Sequence, residues 1–512
     1  MDFLKNTNNI LNINNYGKDM HNSIKTTKIT ASVPVSNSNP ISTITTKTTM
    51  AIVPNPISTI TTKPTTVTVP NPNPNPNPTI TTKTTTATVP NPISTNSVTM
   101  SAILQTTGTN NTNTGKSGNT TINNRLLNIK KLMEQAKLES SNPLHNVDTN
   151  MDTEYYTGPK DNKSLDTKTV LNKKSLNFYK VINQLESKLL YIKSGAYGNT
   201  FKGIITDDND NEVYAFAVKV VAYPKKDGYG SLNNITRPEN AEICMLKLLS
   251  YFVVKCQTPH LILPICTFNT SIKPFLKLQE EDIVPADNQK YCDFIKNYEE
   301  GNYYEQVSVV ISEWANRGDL GMFLKKNYKK LQLIHWQCIF FQIISTLAVI
   351  HCKYPSFRHN DLKANNILIS KVDTCNKKLL YKVNNREYIL PAIGYCIYLW
   401  DFDFACIPSV VENSKVYQEW TQKINITSKE NKYYDIHYFF CTLIYKGFLP
   451  EIMSDPIVPK EVKQFIYYIL PNEYRPNHEK NKVNKRCRLL VNDELYCPVD
   501  LLNHDFFKPF HK

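Results

Sequence analysis

The sequence predicts an α+β fold from about residue 176 onward, with short apolar strands followed by long apolar helices, and no fold in its front. Strand-length apolar runs cluster early, at Leu189–Ile192, Val213–Val221, Leu261–Ile265 and Val307–Ile311. Longer apolar stretches with helical spacing come later, at Leu331–Cys352 and from Tyr433 onward. Residues 1–125 are instead Thr-, Asn-, Pro- and Ser-rich, with a repeating unit visible at Asn55–Lys63 and an Asn-Pro alternation over Pro70–Pro78. Such a segment cannot bury enough apolar surface to offset its ordering entropy, which predicts disorder. Residues 126–175 read as a transition segment, in which Leu126–Leu138 has the pattern of a short amphipathic helix.

Composition narrows the class. The chain has 512 residues and a formal net charge of +14, and its pI is near 9.0. No dense Lys/Arg block accompanies the charge, so no specific nucleic-acid site is evident and a solvated basic surface accounts for it. The 12 cysteines are scattered from Cys244 onward without a C-x-x-C pair. That argues against a zinc module or a disulfide framework and predicts a reducing, cytoplasmic setting. The start has no apolar h-region, so no signal peptide is expected. Leu331–Cys352 approaches membrane-span length but carries His335, Gln337, Gln342 and His351. It reads as a buried core helix, and no transmembrane segment is predicted.

Taken in order, Leu189–Ile192 is followed by Lys193-Ser194-Gly195-Ala196-Tyr197-Gly198-Asn199-Thr200. A strand, a glycine-bearing turn and a second strand let backbone amides approach phosphate oxygens, because glycine has no Cβ in the way; an ordinary hairpin turn also uses glycines. Next comes Val213–Val221, an apolar strand with Lys219 inside it. A lysine there needs an anionic partner, unless it merely snorkels at a sheet edge. The helical pattern Asn240–Leu249 offers Glu242, with Glu239 one turn earlier as the rival. Residues 271–306 read as an irregular acidic and aromatic insertion. After Val307–Ile311 comes Ser312-Glu313-Trp314-Ala315-Asn316-Arg317-Gly318-Asp319, a strand-to-helix loop.

The densest chemistry lies in Phe357-Arg358-His359-Asn360-Asp361-Leu362-Lys363-Ala364-Asn365-Asn366, which leads into the apolar Ile367-Leu368-Ile369. One short loop thus carries a carboxylate for an attacking hydroxyl, a cation for a γ-phosphate and an amide oxygen for a metal ion, the set that phosphoryl transfer needs. A polar segment at 370–387 reads as a hairpin insertion. Tyr398-Leu399-Trp400-Asp401-Phe402-Asp403 then ends an apolar run with an Asp, a hard oxygen donor suited to Mg²⁺. Asp403 reads as a second acidic group at the metal or as a turn residue. Asp435 reads as a helix cap or as a brace for the Asp361 loop. His351, His359, His437 and His504 have no metal spacing and read as packing or hydrogen-bonding groups.

These stretches resemble, in order, the motifs of eukaryotic-type protein kinases: the glycine loop, V-A-I-K, H-R-D-L-x-x-x-N and D-F-G. Asn360 in place of Arg, Asp403 in place of Gly and the insertions make residues 189–510 most similar to the divergent kinases of large DNA viruses of the poxvirus and giant-virus type. The closing Leu501-Leu502-Asn503-His504-Asp505-Phe506-Phe507 is similar to the last helix of many protein kinases. The resemblance implies a kinase domain over 176–512, with a small mostly β lobe over a larger helical lobe and ATP and Mg²⁺ between them. It implies that Asp361 orients or deprotonates the substrate hydroxyl and that Lys363 neutralises γ-phosphate charge. Asn366 and Asp401 would hold the metal, while Lys219, paired with Glu242, would grip the α- and β-phosphates. Ile192, Gly195, Ala196, Tyr197, Gly198, Thr200 and Ala217 would line the nucleotide from the strand side. The backbone at Glu313 and Ala315 would read adenine, and Asp319 would lie near the ribose.

A Lys two residues after the catalytic Asp is the serine/threonine form of the loop, so protein serine and threonine hydroxyls are the expected acceptors. Two other readings stay open on the residues: a choline- or aminoglycoside-type small-molecule kinase, which shares H-x-D and acidic D-F-x motifs, and a scaffold without turnover. No A-P-E follows Asp401, so the peptide platform has no sequence marker. Loss of the loop Arg predicts activity independent of activation-segment phosphorylation.

Overall fold

The computed structural model describes residues 122–136, 171, 173–372, 378–445, 447–480 and 482–512. The repetitive region up to 121 and most of the transition segment, with their expected disorder, lie outside the described residues. The described chain is α+β, as the sequence predicts.

The chain enters through α1 (Ile122–Gln135), which buries Ile122, Ile129, Leu132 and Met133. A short strand β1 (Lys174–Ser175) and α2 (Phe178–Gln184) follow, the latter capped by the Asn177 side chain, which accepts from the Lys180 amide. Both α1 and β1 lie upstream of residue 176, where the sequence places the start of the folded region, yet they join the same core and the same sheet.

That sheet has six strands in the order β1-β5-β6-β4-β3-β2. Strands β2 (Lys188–Ser194), β3 (Gly198–Thr206) and β4 (Glu212–Pro224) form an antiparallel meander. α3 (Pro238–Val254) then crosses to β5 (Pro264–Ser271), which pairs with β6 (Tyr303–Glu313). The strand expected at Leu261–Ile265 therefore begins later, while Leu261 makes only an isolated bridge to Leu399. α3 starts with Pro at its first turn, where a missing N–H costs nothing. It is buried on all sides, not only along Ile243, Leu246 and Leu249, because β5 and helices α1 and α6 pack around it.

The 271–306 insertion is not irregular. It folds into α4 (Gln289–Glu299), capped by Asn288, whose side chain accepts from the Tyr291 amide. Tyr291 and Phe294 are buried, and the Tyr291 hydroxyl donates to the Phe275 carbonyl at 3.0 Å. The helical spacing of these two rings is masked in the sequence by the acidic residues around them.

The second half is built on α6 (Leu333–Lys353), which follows α5 (Leu320–Asn327). α6 is long and apolar enough to cross a membrane, but every residue from Trp336 to His351 is buried against protein. It is a core helix. β7 (Ile367–Lys371) pairs with β10 (Tyr395–Leu399), and between them β8 (Lys378–Val383) and β9 (Arg386–Pro391) form the expected hairpin. Asn384 and Asn385, both at positive φ, make the two-residue turn. α7 (Tyr434–Leu443) and α8 (Lys460–Ile469) follow, with one-turn helices at Glu419–Gln422, Glu451–Ser454 and Pro498–Leu501. The chain ends in a 3₁₀ turn, Asp505–Phe510, with Pro509 inside it, where Phe506 stacks on Phe465 at 4.4 Å.

Candidate active site

The roof of the site is one face of the sheet. On β4, Ala217 and Lys219 point the same way, since strand side chains alternate. Thr200 of β3 and Val310 of β6 are opposite Lys219, and Ser312 of β6 is opposite Ala217. Gly198 is required where it stands, because a Cβ there would lie 1.8 Å from the Val220 carbonyl oxygen. The turn is closed by Gly195 N–H donating to the Gly198 carbonyl at 2.7 Å, and the Tyr197 carbonyl accepts from the Ala222 amide at 2.7 Å. Ala196 sits between them at the turn's tip. Ile192, at a bulge in β2, is exposed.

Lys219 joins the two halves. Its Nζ donates to Glu242 Oε1 at 2.6 Å and to Asp401 Oδ1 at 3.0 Å. Burial works against its charge, but the two carboxylates outweigh that and hold it protonated well above the usual lysine range. Burial likewise opposes ionisation of Asp401, and Lys219 overcomes it, leaving that carboxyl at about 2. The rival Glu239 pairs with Arg237 instead, at 3.1 Å. Asp401 has φ +64, a left-handed conformation that aims its carboxylate toward Lys219.

Below, the Asp361 loop converges on one carboxylate. Lys363 Nζ donates to Asp361 Oδ2 at 2.8 Å, and Asn366 Nδ2 donates to the same oxygen and to the Asp361 carbonyl, both at 2.9 Å. Asn366 therefore keeps its amide oxygen for an ion. With Asp401 it supplies hard oxygen donors, and among the described residues no group of three His, Cys, Asp or Glu side chains could hold a metal by itself. An ion of the Mg²⁺ type would need phosphate oxygens and water to complete its shell.

Asp435 is the brace, not a cap. Its oxygens accept from the backbone amides of His359 at 2.7 Å and Asn360 at 2.9 Å. Asn360 adopts φ +61, which asparagine tolerates, and donates through Nδ2 to the Phe404 and Thr427 carbonyls at 3.1 Å. The four histidines are hydrogen-bonding groups, as expected: for example, His359 Nε2 lies 3.0 Å from the Trp400 carbonyl and His437 Nε2 2.8 Å from that of Tyr474.

Other expected residues are engaged elsewhere. The Glu313 side chain faces Arg125 of α1, which donates to both of its oxygens, at 2.8 and 2.6 Å. Any nucleotide contact at Glu313 is thus left to its backbone. Ala315 is buried beside it. Asp319 Oδ1 caps α5 by accepting from the Met322 amide at 2.9 Å, and also accepts from Asn365. Asp403 is ion-paired with the buried Lys415.

Three basic residues were not legible as parts of the site. Arg358 packs its guanidinium 3.6 Å from the Tyr434 ring and donates to Thr427 Oγ1 and the Asn425 carbonyl, at 2.8 and 2.9 Å. Arg488 reaches Asp361 Oδ1 at 2.6 Å. Lys415 is the third. Arg358 stood beside the motif itself, whereas no local pattern marks Arg488 or Lys415.

Comparison with known proteins agrees with this geometry. Residues 230–492 match the model of the poxvirus serine/threonine protein kinase family. A protein of Acanthamoeba polyphaga mimivirus assigned as a serine/threonine-protein kinase is 45% identical over 367 residues, covering 70% of this chain and 74% of its own. Serine/threonine-protein kinase 2 of Monkeypox virus is 28% identical over 181 residues, covering 34% of this chain and 38% of its own. These matches favour a protein kinase over the small-molecule kinase and the scaffold. The chain belongs to the poxvirus serine/threonine protein kinase family, and it is a serine/threonine protein kinase of viral type.

Proposed function

We propose that the protein transfers the γ-phosphoryl group of ATP, with Mg²⁺, to serine and threonine hydroxyls of protein substrates. The observation that carries this is Lys219, held by Glu242 and Asp401 across the cleft between the sheet and the Asp361 loop. A cation placed this way grips phosphates and brings the metal-binding Asp401 to them. Asn366 and Asp401 would hold Mg²⁺, which would supply charge neutralisation at the nucleotide phosphates. Asp361 accepts the hydrogen bond of the attacking hydroxyl and so aligns it, while Lys363 stabilises the charge that builds on the transferred group. The Gly195–Gly198 turn would present backbone amides to the phosphates. The described cysteines are all free thiols, which supports action in a reducing cytoplasm.

Magnesium-dependent transfer of label from γ-labelled ATP to a protein acceptor tests the reading. It predicts transfer by the wild type and none above background for Asp361→Asn. Equal transfer by both would refute the assigned roles.

A further inference from the structure

The Asp361 loop lacks a basic residue at position 360, yet a guanidinium reaches it from far along the chain. Arg488 donates through Nη2 to Asp361 Oδ1 at 2.6 Å and through Nη1 to the Asn360 carbonyl. Its Nη1 also lies 3.3 Å from the Tyr434 hydroxyl, and its guanidinium carbon lies 4.3 Å from the centre of the Tyr438 ring. Only 6% of Arg488 is exposed. The turn that delivers it is bridged Val483 to Leu489, and Cys487, just before the arginine, takes φ +63.

Two features separate this contact from ordinary packing. The loop backbone is held by both of its polar groups: Asp435 accepts the N–H groups of His359 and Asn360, and Arg488 donates to the Asn360 carbonyl that follows. Both Asp361 oxygens are also engaged, Oδ2 by Lys363 and Asn366 and Oδ1 by Arg488, so the carboxylate plane is fixed at both ends. A planar donor fork suits this, because it locks orientation as well as supplying charge.

We propose that Arg488 is a positioning residue for the phosphoryl-transfer reaction, orienting the Asp361 carboxylate toward the substrate hydroxyl. The proposal rests on the kinase reading above. A buried arginine packed against the Tyr434 and Tyr438 rings of α7 has a fixed place from which to orient the carboxylate.

The test compares wild type, Arg488→Ala and Arg488→Lys in kcat, in KM for the protein acceptor and in affinity for an ATP analogue. A misplaced catalytic group costs about a hundredfold in rate. Arg488→Ala should therefore lose about that factor in kcat, with nucleotide affinity unchanged. Arg488→Lys should keep the charge without the fork and recover only part of the rate. Guanidinium ion added to Arg488→Ala should restore activity, and added to Asp361→Asn should not.

Unchanged kcat in Arg488→Ala, higher activity in that variant, or loss of nucleotide binding in both variants would each overturn the proposal. The second outcome would make Arg488 a blocking strap, and the third would assign it to the fold alone. Wild-type transfer that fails altogether would refute the kinase reading and this proposal with it. Wild-type transfer with unaffected Arg488 variants would refute this proposal alone.

Discussion

Arg125→Ala tests whether α1 belongs to the folded unit. The arginine makes a fork-to-fork pair with Glu313, at 2.8 and 2.6 Å, and donates to the carbonyls of Pro259 at 2.6 Å and Leu261 at 2.7 Å. Its guanidinium is also 4.8 Å from the Tyr398 ring. Truncation would leave the partly buried Glu313 carboxylate with the Leu263 amide, at 2.9 Å, as its remaining donor among the described residues. Breaking a buried ion pair by removing one partner costs about 3–5 kcal/mol, because the other charge stays behind without compensation. The cost should appear as a lower urea midpoint followed by tryptophan fluorescence, with the first transition moving if unfolding occurs in steps. The double replacement Arg125→Met with Glu313→Met should recover most of the loss, since an apolar pair of similar volume is close to neutral. A single variant within about 0.5 kcal/mol of wild type, the range of ordinary surface changes, would refute the reasoning.

Further outcomes follow from the site and the core. Lys219→Met should lower kcat about 100- to 1,000-fold, as loss of a preorganised charge at the reacting phosphates does; a steady-state assay at saturating ATP reads it. Gly198→Ala forces a Cβ onto the Val220 carbonyl and should cost about 1–3 kcal/mol, measured as a lower melting temperature and weaker nucleotide binding. Phosphomimetic substitution across residues 409–430 should leave activity within a few-fold, because Arg358 and Asn360 already hold that segment at Asn425 and Thr427 and its Lys415 is tied to Asp403; a many-fold rise would contradict this. Burial holds His260 at about 3 and His351 and His437 at about 4. The unfolded chain binds protons at these rings below about 6.5 while the folded chain does not. Stability should therefore fall as pH drops from about 6.5 toward 4, by about 1.4 kcal/mol per pH unit for each ring; denaturation midpoints from pH 7 to 4 check the sign.

The residues the sequence displayed best are those whose partners are local or obligatory. Asp361, Lys363 and Asn366 share one turn, so their spacing alone brought them together. Lys219 lay in a buried strand and had to find a carboxylate, and Glu242 is where it found one. Asp435 was ambiguous because a carboxylate in the first turn of a helix serves equally as cap or brace, and only the approach of the 359–360 backbone decides between them. The partners that were missed are long-range and chosen by packing. Arg125 reaches Glu313 across 188 residues, and Arg488 reaches Asp361 across 127. An arginine in a polar stretch has no period or motif to announce such a contact. The α4 insertion was missed for a different reason: its two buried rings are outnumbered by charge, and tertiary packing on β3 and β6 stabilises a helix that pattern alone does not predict.

In the proposed function, Asp361 directs ATP-dependent phosphoryl transfer to protein hydroxyls. The most direct measurement supplies γ-labelled ATP and Mg²⁺ with casein, a basic protein, choline or no acceptor, for the full chain and for Asp361→Ala. The expected result is label on serine or threonine that disappears in the variant. Label on choline alone, or nucleotide binding without any transfer, would contradict it.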